Sequence, residues 1–493
     1  SIYITKYQSK FAFSLYSYYA VNLQKLHYSF GFLHFKKHNS AFLIRDINAM
    51  PIYFAQSFLL PLLMLVNEFI VISFLLISIF VFNPFVVLLL LLTVAPISFF
   101  AYLYVKKQIK GIGEIKANQA AEIHSNLQQS VYGFSDVKMT NTEHYFFEKY
   151  SRLVKEFTSV QIKSNVLMML PTKVIEGGTF LGLVAFLLFS YFFIQDKNAI
   201  SMLLGLFTIS AFRILPSINR IMASLLTIKE YQFSVDKITQ IKLDDKWDDY
   251  YNGKESKLAL TFENTIKIEE VDFYYDVHGK ILNQINMIIK KGETVGIIGR
   301  SGSGKTTLIN IILRFLKEKS GSITVDGIAL TNENIDAWRK IIGFVQQDVY
   351  IIDGTLAENI AFGIDKQKID NSKLMHCIEQ ASLSDLVDKW PLGIATNLGE
   401  RGAQLSGGQR QRVGIARALY SDSKILLFDE ATSSLDNETE EEITESIKKL
   451  SKNNLTMIIV AHRYTTLKYC DRIIELRDGK ILREYNYDEL IDL

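Results

Sequence analysis

Residues 57–105 are apolar almost without a break, interrupted only by Asn67-Glu68 and by Asn83-Pro84. A hydrocarbon core about 30 Å thick is crossed by roughly 20 apolar residues in a helix, which satisfies its own backbone polar groups. The stretch therefore predicts two spans meeting at Asn83-Pro84, and the runs 174–194 and 199–226 predict two more. A buried helix of a soluble core accounts for neither the length nor the number of these runs. The chain average hides them: 493 residues carry a formal charge of +2 and are 48% hydrophobic, because the two halves are unlike. At this length two or three domains are expected.

Lysine and arginine mark the cytoplasmic side of membrane helices. Lys25, Lys36, Lys37 and Arg45 precede the first span, and Lys106, Lys107, Lys110, Lys116, Lys138 and Lys149 lie between the second and third. Both regions are expected in the cytoplasm. Asn83-Pro84 and Asp196-Lys197-Asn198 are then short turns on the far side, and the fourth span returns the chain to the cytoplasm. Residues 106–170 mix apolar and charged residues at helical spacing, which predicts a helix, a short turn and a helix.

The second half carries the chemistry. Gly299-Arg300-Ser301-Gly302-Ser303-Gly304-Lys305-Thr306-Thr307 fits G-x-x-x-x-G-K-[ST] in full, between the apolar run 294–298 and the helical run 308–313. Glycines let backbone N–H groups turn with positive φ and approach phosphate oxygens, and the positive end of the following helix adds to the anion site. Lys305 is expected to neutralise β- and γ-phosphate charge and Thr306 to ligate Mg²⁺. Further on, Lys424-Ile425-Leu426-Leu427-Phe428-Asp429-Glu430 reads as a buried parallel strand ending in two carboxylates, where ligands sit in α/β sheets. Asp429 is the expected Mg²⁺ partner and Glu430 the expected general base that polarises the attacking water. Asn437 to Glu442 reads as a solvated helix start. Asp244-Asp245-Lys246-Trp247-Asp248-Asp249 with Asn252-Gly253-Lys254 reads as a linker. The chain is thus divided into a transmembrane domain (1–240), a linker (241–256) and a nucleotide-binding domain (257–493). Cys377 and Cys470 both fall in the last and call for no disulfide or metal site.

Leu405-Ser406-Gly407-Gly408-Gln409-Arg410 lies between the phosphate loop and the Asp-Glu pair, and with it the chain resembles the ATP-binding-cassette superfamily. The resemblance implies ATP and Mg²⁺ as cofactors. It also implies a second copy of the chain, because in that family Ser406, Gly407, Gly408 and Gln409 cap the γ-phosphate held by the phosphate loop of a partner subunit. Gln347, in Phe344-Val345-Gln346-Gln347-Asp348, matches the glutamine that touches Mg²⁺ and the lytic water. His462, after the run 456–460, matches the histidine that hydrogen-bonds the γ-phosphate. Tyr275 stands where the family stacks an aromatic ring on adenine, with Tyr274 or plain core packing as alternatives. Ala431-Thr432-Ser433-Ser434-Leu435-Asp436 matches the motif that follows the base. Gly399-Glu400-Arg401-Gly402 resembles a motif of exporter-type members.

The implied architecture is an exporter-type helical transmembrane domain followed by an α/β cassette ATPase domain. Exporter-type members usually have six spans per half. Residues 1–50 look like the inner part of a second helix and the turn after it, so a first span is expected to be lacking from the chain as given. No basic-then-apolar signal peptide is visible. In the family such cytoplasmic turns lie across the nucleotide domain, and residues near 30–40 and 133–145 are the candidates, with plain helix connections as the alternative.

Arg213 and Arg220 sit seven residues apart inside the last run, on nearly one helix face. Intramembrane charge usually faces a water-filled cavity or the bundle interior. This segment is similar to the last span of bacterial lipid-linked oligosaccharide flippases, and guanidinium suits a diphosphate. Pairing with Glu176 or Glu68, or snorkelling, is the structural alternative. Where that group has Pro-Arg, this chain has Pro171-Thr172-Lys173, and a lysine cannot reproduce a bidentate grip. The reading is an ATP-driven exporter or flippase of the inner membrane, moving a lipid-linked sugar or other amphipathic substrate, with a peptide or hydrophobic-drug exporter as runner-up. A cassette-type channel or channel regulator would share both halves. A soluble cassette ATPase acting on nucleic acid would have no use for four apolar runs, so no nucleic-acid partner is expected.

Overall fold

The computed structural model describes residues 2–193, 197–239, 260–275, 279–431, 437–452 and 454–492. They belong to two compact units, Ser1–Tyr250 and Tyr251–Leu493. The expected linker 241–256, the turn residue Asp196 and the stretch 432–436 lie outside the described residues.

In the first unit α1 (Ile2–Ser29) and the short α2 (Phe32–Lys37) lead into one long helix, α3 (40–82). α3 holds two π-helical stretches, Arg45–Ala49 and Phe54–Leu59, each followed closely by a proline, Pro51 or Pro61. Proline offers no N–H to the carbonyl four residues back, and the ladder widens locally instead of breaking. Asn83 is extended at φ −156°, ψ 102°, the form that suits a residue before proline, and α4 (Pro84–Ile109) starts there. α5 (Ile112–Tyr132), α6 (Phe134–Met139) and α7 (Glu143–Phe193) provide the helix, turn and helix expected of 106–170, and α8 (Lys197–Thr239) completes the unit.

Among the described residues three stretches, Ser40–Val81, Val86–Tyr132 and Glu143–Val184, are long and apolar enough to cross a membrane. The fourth expected span lies in α8, whose side chains are described from Gly205 onward. Val86, Leu90 and Val94 of α4 pack with Ile175 of α7 and with Phe207, Ala211 and Ile214 of α8. Gly178 and Gly182 let α7 close on α4: a Cβ at 178 would meet Ile97 Cδ1 at 2.4 Å, and one at 182 would meet Thr93 Cγ2 at 3.1 Å. Small residues permit such close approach where lipid supplies no hydrophobic drive between helices. Phe74 and Phe212 face outward, 72% and 85% exposed. Lys116, one of the lysines counted toward the cytoplasmic side, does not face solvent. It is buried with its Nζ 2.7 Å from Glu230 Oε1 of α8, and Ser164 of α7 donates to the same oxygen at 2.8 Å.

The second unit has two sheets. β1 (Thr265–Phe273), β2 (Leu282–Lys290), β4 (Ser320–Val325) and β5 (Ile328–Ala329) form an antiparallel sheet in the order β2-β1-β4-β5. β3 (Thr294–Ile298), β6 (Ile342–Val345), β7 (Ile425–Asp429), β8 (Thr456–Val460), β9 (Arg472–Arg477) and β10 (Lys480–Tyr485) form the other, in the order β10-β9-β3-β8-β7-β6. Its pairs are parallel except β9 with β10. β3 and β8 are buried at every position, the pattern of parallel strands covered on both faces. The register aligns Ile297 with Val460, Val460 with Asp429, and Phe428 with Val345. The residues that follow β3, β8, β7 and β6 therefore emerge side by side at one edge. Helix Asn437–Ser451 starts at the expected charge run, but Glu440 is buried and accepts hydrogen bonds from Arg463 and Thr466, so it is not a solvated residue.

Candidate active site

The loop after β3 turns through Gly299, Gly302 and Gly304 at φ 156°, 84° and 103°. A Cβ at Gly299 would lie 2.2 Å from the Leu476 carbonyl oxygen, so at this position a side chain is excluded by space as well as by conformation. Gly304 leads into helix Lys305–Ile312, whose start no side chain caps. The Lys305 ammonium is buried and donates to the carbonyls of Gly299 at 2.7 Å and Arg300 at 3.2 Å. Burial holds its pKa below the usual lysine value, against the pull of Glu430 and Asp429. Ser303 Oγ is buried with no partner among the described residues. A buried, unpartnered hydroxyl of this kind, just ahead of a helix N-terminus, fits a phosphate oxygen. Ser301 on the loop and Thr306 in the first turn of the helix are exposed.

Asp429 ends β7, and burial together with the charge of Glu430 pushes its carboxyl up to about 6, against Lys305. A hard divalent cation reverses that balance, so Asp429 and the Thr306 hydroxyl fit Mg²⁺. Glu430 has φ 51°, its N–H donates to the Val460 carbonyl at 2.9 Å, and its Oε1 lies 2.7 Å from His462 Nε2. The expected base and the expected phosphate-sensing histidine are thus in direct contact. Gln347 is exposed just beyond β6, one strand further along the edge.

Ser406 is the N-cap of helix Gly407–Tyr420. Gln409 N–H donates to Ser406 Oγ at 3.3 Å, and Ser406 N–H donates to Gln409 Oε1 at 2.9 Å, a reciprocal capping box. Among the described residues no hydrogen bond joins this cap to the phosphate loop. Tyr275 is half-buried and packs edge-on against Phe273, ring centroids 5.0 Å apart, while Tyr274 is exposed with Lys319 Nζ 5.1 Å from its ring. Gly399 and Gly402 flank a short turn in which Arg401 takes φ 54°.

In the first unit Arg220 bonds Glu68 through two nitrogens, at 2.6 and 3.1 Å, and also bonds Ser217 at 3.1 Å. Glu176 pairs instead with Lys173 at 2.9 Å. Arg213 is exposed and has no ion pair among the described residues. Of the sequence-derived residues, Lys305, Asp429, Glu430 and His462 converge directly, whereas the two arginines have unlike surroundings. Glu440 and Arg463, which brace the segment carrying His462, escaped the sequence reading because their proximity is purely tertiary.

Residues 282–433 match the family model described as ABC transporter, and residues 54–215 match that described as ABC transporter transmembrane region. The chain is 32% identical over 415 residues to an ATP-dependent lipid A-core flippase of Ralstonia nicotianae (strain ATCC BAA-1114 / GMI1000), a match covering 82% of this chain and 68% of that protein. It is 41% identical over 244 residues to the uncharacterized ABC transporter ATP-binding protein YwjA of Bacillus subtilis (strain 168), covering 50% of this chain and 42% of that protein. A solved structure of a bacterial Atm1-family ABC exporter with ATP bound superposes with a TM-score of 0.80, covering 98% of this chain and 84% of that one at 22% identity. At that identity the superposition speaks for the fold.

Proposed function

The chain belongs to the ATP-binding-cassette exporters, and we propose that within them it is a half-transporter, two copies of which flip a lipid-linked sugar or a related anionic lipid across the inner membrane. ATP hydrolysis by the cassette domain is coupled to transport through the helical domain. In the proposed assembly the phosphate loop of one copy and Ser406 of the other close on one nucleotide. Gly299 to Thr307 hold its phosphates, and Tyr275 supports its base. Thr306 and Asp429, with Gln347, would hold Mg²⁺, which neutralises phosphate charge when bound. Glu430 takes a proton from the attacking water, and His462 leaves Glu430 to reach the γ-phosphate. Closure follows from nucleotide preferring the closed pair, and reopening follows from its hydrolysis.

Arg213 carries the substrate reading. A guanidinium with no ion pair among the described residues, on an apolar helix, is costly in a membrane unless it meets an anion or water. A phosphorylated lipid supplies that anion, and the flippase relative of Ralstonia supports a lipid substrate. The Glu68–Arg220 pair favours the second reading, a peptide or hydrophobic-drug exporter, because it already neutralises one of the two arginines. ATPase assays in liposomes against lipid-linked sugars, lipid A-type lipids, peptides and drugs separate the two. Stimulation by phosphorylated lipids that Arg213→Ala removes supports the first, and stimulation by drugs or peptides alone refutes it.

A further inference from the structure

One residue of helix Gly407–Tyr420, the signature helix that starts within the Ser406-Gly407-Gly408-Gln409 run, is buried for a reason that packing does not provide. Gln411 is 4% exposed on the inner face of helix Gly407–Tyr420, among Gly408, Val413, Gly414 and Ile415. Its Nε2 donates to the carbonyl of Gln346 at 3.1 Å and to the carbonyl of Gln347. Its Oε1 has no partner among the described residues. A half-satisfied buried amide is costly, so an apolar side chain of similar size would suit stability better. Successive carbonyls of an extended strand point in opposite directions. One amide can reach both only where the chain has turned, so Gln411 holds the turn that ends β6 and from which the Gln347 side chain leaves.

A second contact supports the first. Gly414, one turn further along the same face, packs so closely that a Cβ there would meet Val349 Cγ2 at 2.8 Å and Val345 Cγ1 at 3.5 Å. The helix therefore grips the Gln346-Gln347 turn at its centre and on both flanks. Ser406 caps the start of the same helix, about one and a half turns before Gln411.

We infer that Gln411 is a positioning residue for hydrolysis, fixing the Gln347 backbone to the signature helix so that the metal-facing glutamine moves with its own chain's Ser406. The inference rests on the proposed role of Gln347. It gives each chain a rigid link between the residue it lends to its partner's nucleotide and a residue it uses on its own.

The test is a double-mutant cycle in the full-length protein reconstituted in liposomes, using Gln411→Met, Gln411→Glu, Gln347→Ala and Gln347→Ala/Gln411→Met. Turnover, KM for ATP, half-activation by Mg²⁺ and the thermal unfolding midpoint are measured. Gln411→Met is expected to lower kcat roughly tenfold with KM within about twofold, and to raise the Mg²⁺ concentration for half-activation. Gln411→Glu, which turns an acceptor toward two carbonyls, is expected to lose more. In the Gln347→Ala background the added loss from Gln411→Met should shrink to about twofold or less. Additive losses in the cycle overturn the inference, as does a Gln411→Met protein in which kcat and midpoint fall while KM rises well beyond twofold. If Gln347→Ala keeps parental turnover and Mg²⁺ response, the reading of Gln347 itself is wrong. If Gln347→Ala is impaired while both Gln411 variants are not, only the inference fails.

Discussion

At the scale of single residues, one contact joins His462 and Glu430, the two residues proposed as phosphate sensor and base. Glu430→Gln should lower hydrolysis by about 10²–10⁴-fold, the usual contribution of a positioned base, while nucleotide binding persists and holds the closed pair. Phosphate release and retention of labelled nucleotide on the same sample check this. The cysteines make a separate prediction. Burial pushes the Cys377 thiol up to about 11 and that of Cys470 also upward, so both should resist maleimides at pH 8 until the protein unfolds. The sign for stability follows from the raised folded value: the unfolded thiol ionises first, so the contribution of Cys377 is present at neutral pH and is lost as pH climbs from about 9 toward 11. Denaturant midpoints of parent and Cys377→Ala should converge over that window. The phosphate-loop residues and the strand-end carboxylates were legible in the sequence because their chemistry depends on consecutive residues. Which glutamate Arg220 would choose was not, since Glu68 and Glu176 are equally plausible until α3 and α8 are brought together.

At the scale of elements, periodicity and hydropathy reveal helices and strands but not which charges they bury. Lys116 counts toward topology as any cytoplasmic lysine does, yet it joins α5, α7 and α8 through Glu230 and Ser164. Removing one partner of a buried ion pair leaves the other uncompensated and typically costs about 3–5 kcal/mol, whereas replacing both is far milder. Lys116→Met and Glu230→Gln should therefore each lower the unfolding midpoint in detergent clearly, and Lys116→Met/Glu230→Met should recover much of the loss. A double variant as unstable as the sum of the singles would show that packing, not charge, holds the three helices. The prolines were visible in the sequence too, but the π-helical stretches of α3 were not, because the outcome depends on whether the neighbouring helices hold the ladder together.

At the scale of the whole molecule, the proposed shared site predicts complementation between lesions. Lys305→Ala disables the loop of its own site and Ser406→Arg disables the cap it lends, so each variant alone should be inactive. Mixed pairs combine both lesions in one site and leave the other intact, so ATPase should reappear on co-reconstitution. A mixture as dead as its parts would place both residues in one chain's own site. The close seam of α4 with α7 has a consequence of its own: at the level of Gly178 and Gly182, where a methyl group would already press on Ile97 or Thr93, these two helices leave no gap for an acyl tail. If the cargo is a lipid, as proposed, its way in from the side of the bilayer lies elsewhere than at that level of this seam.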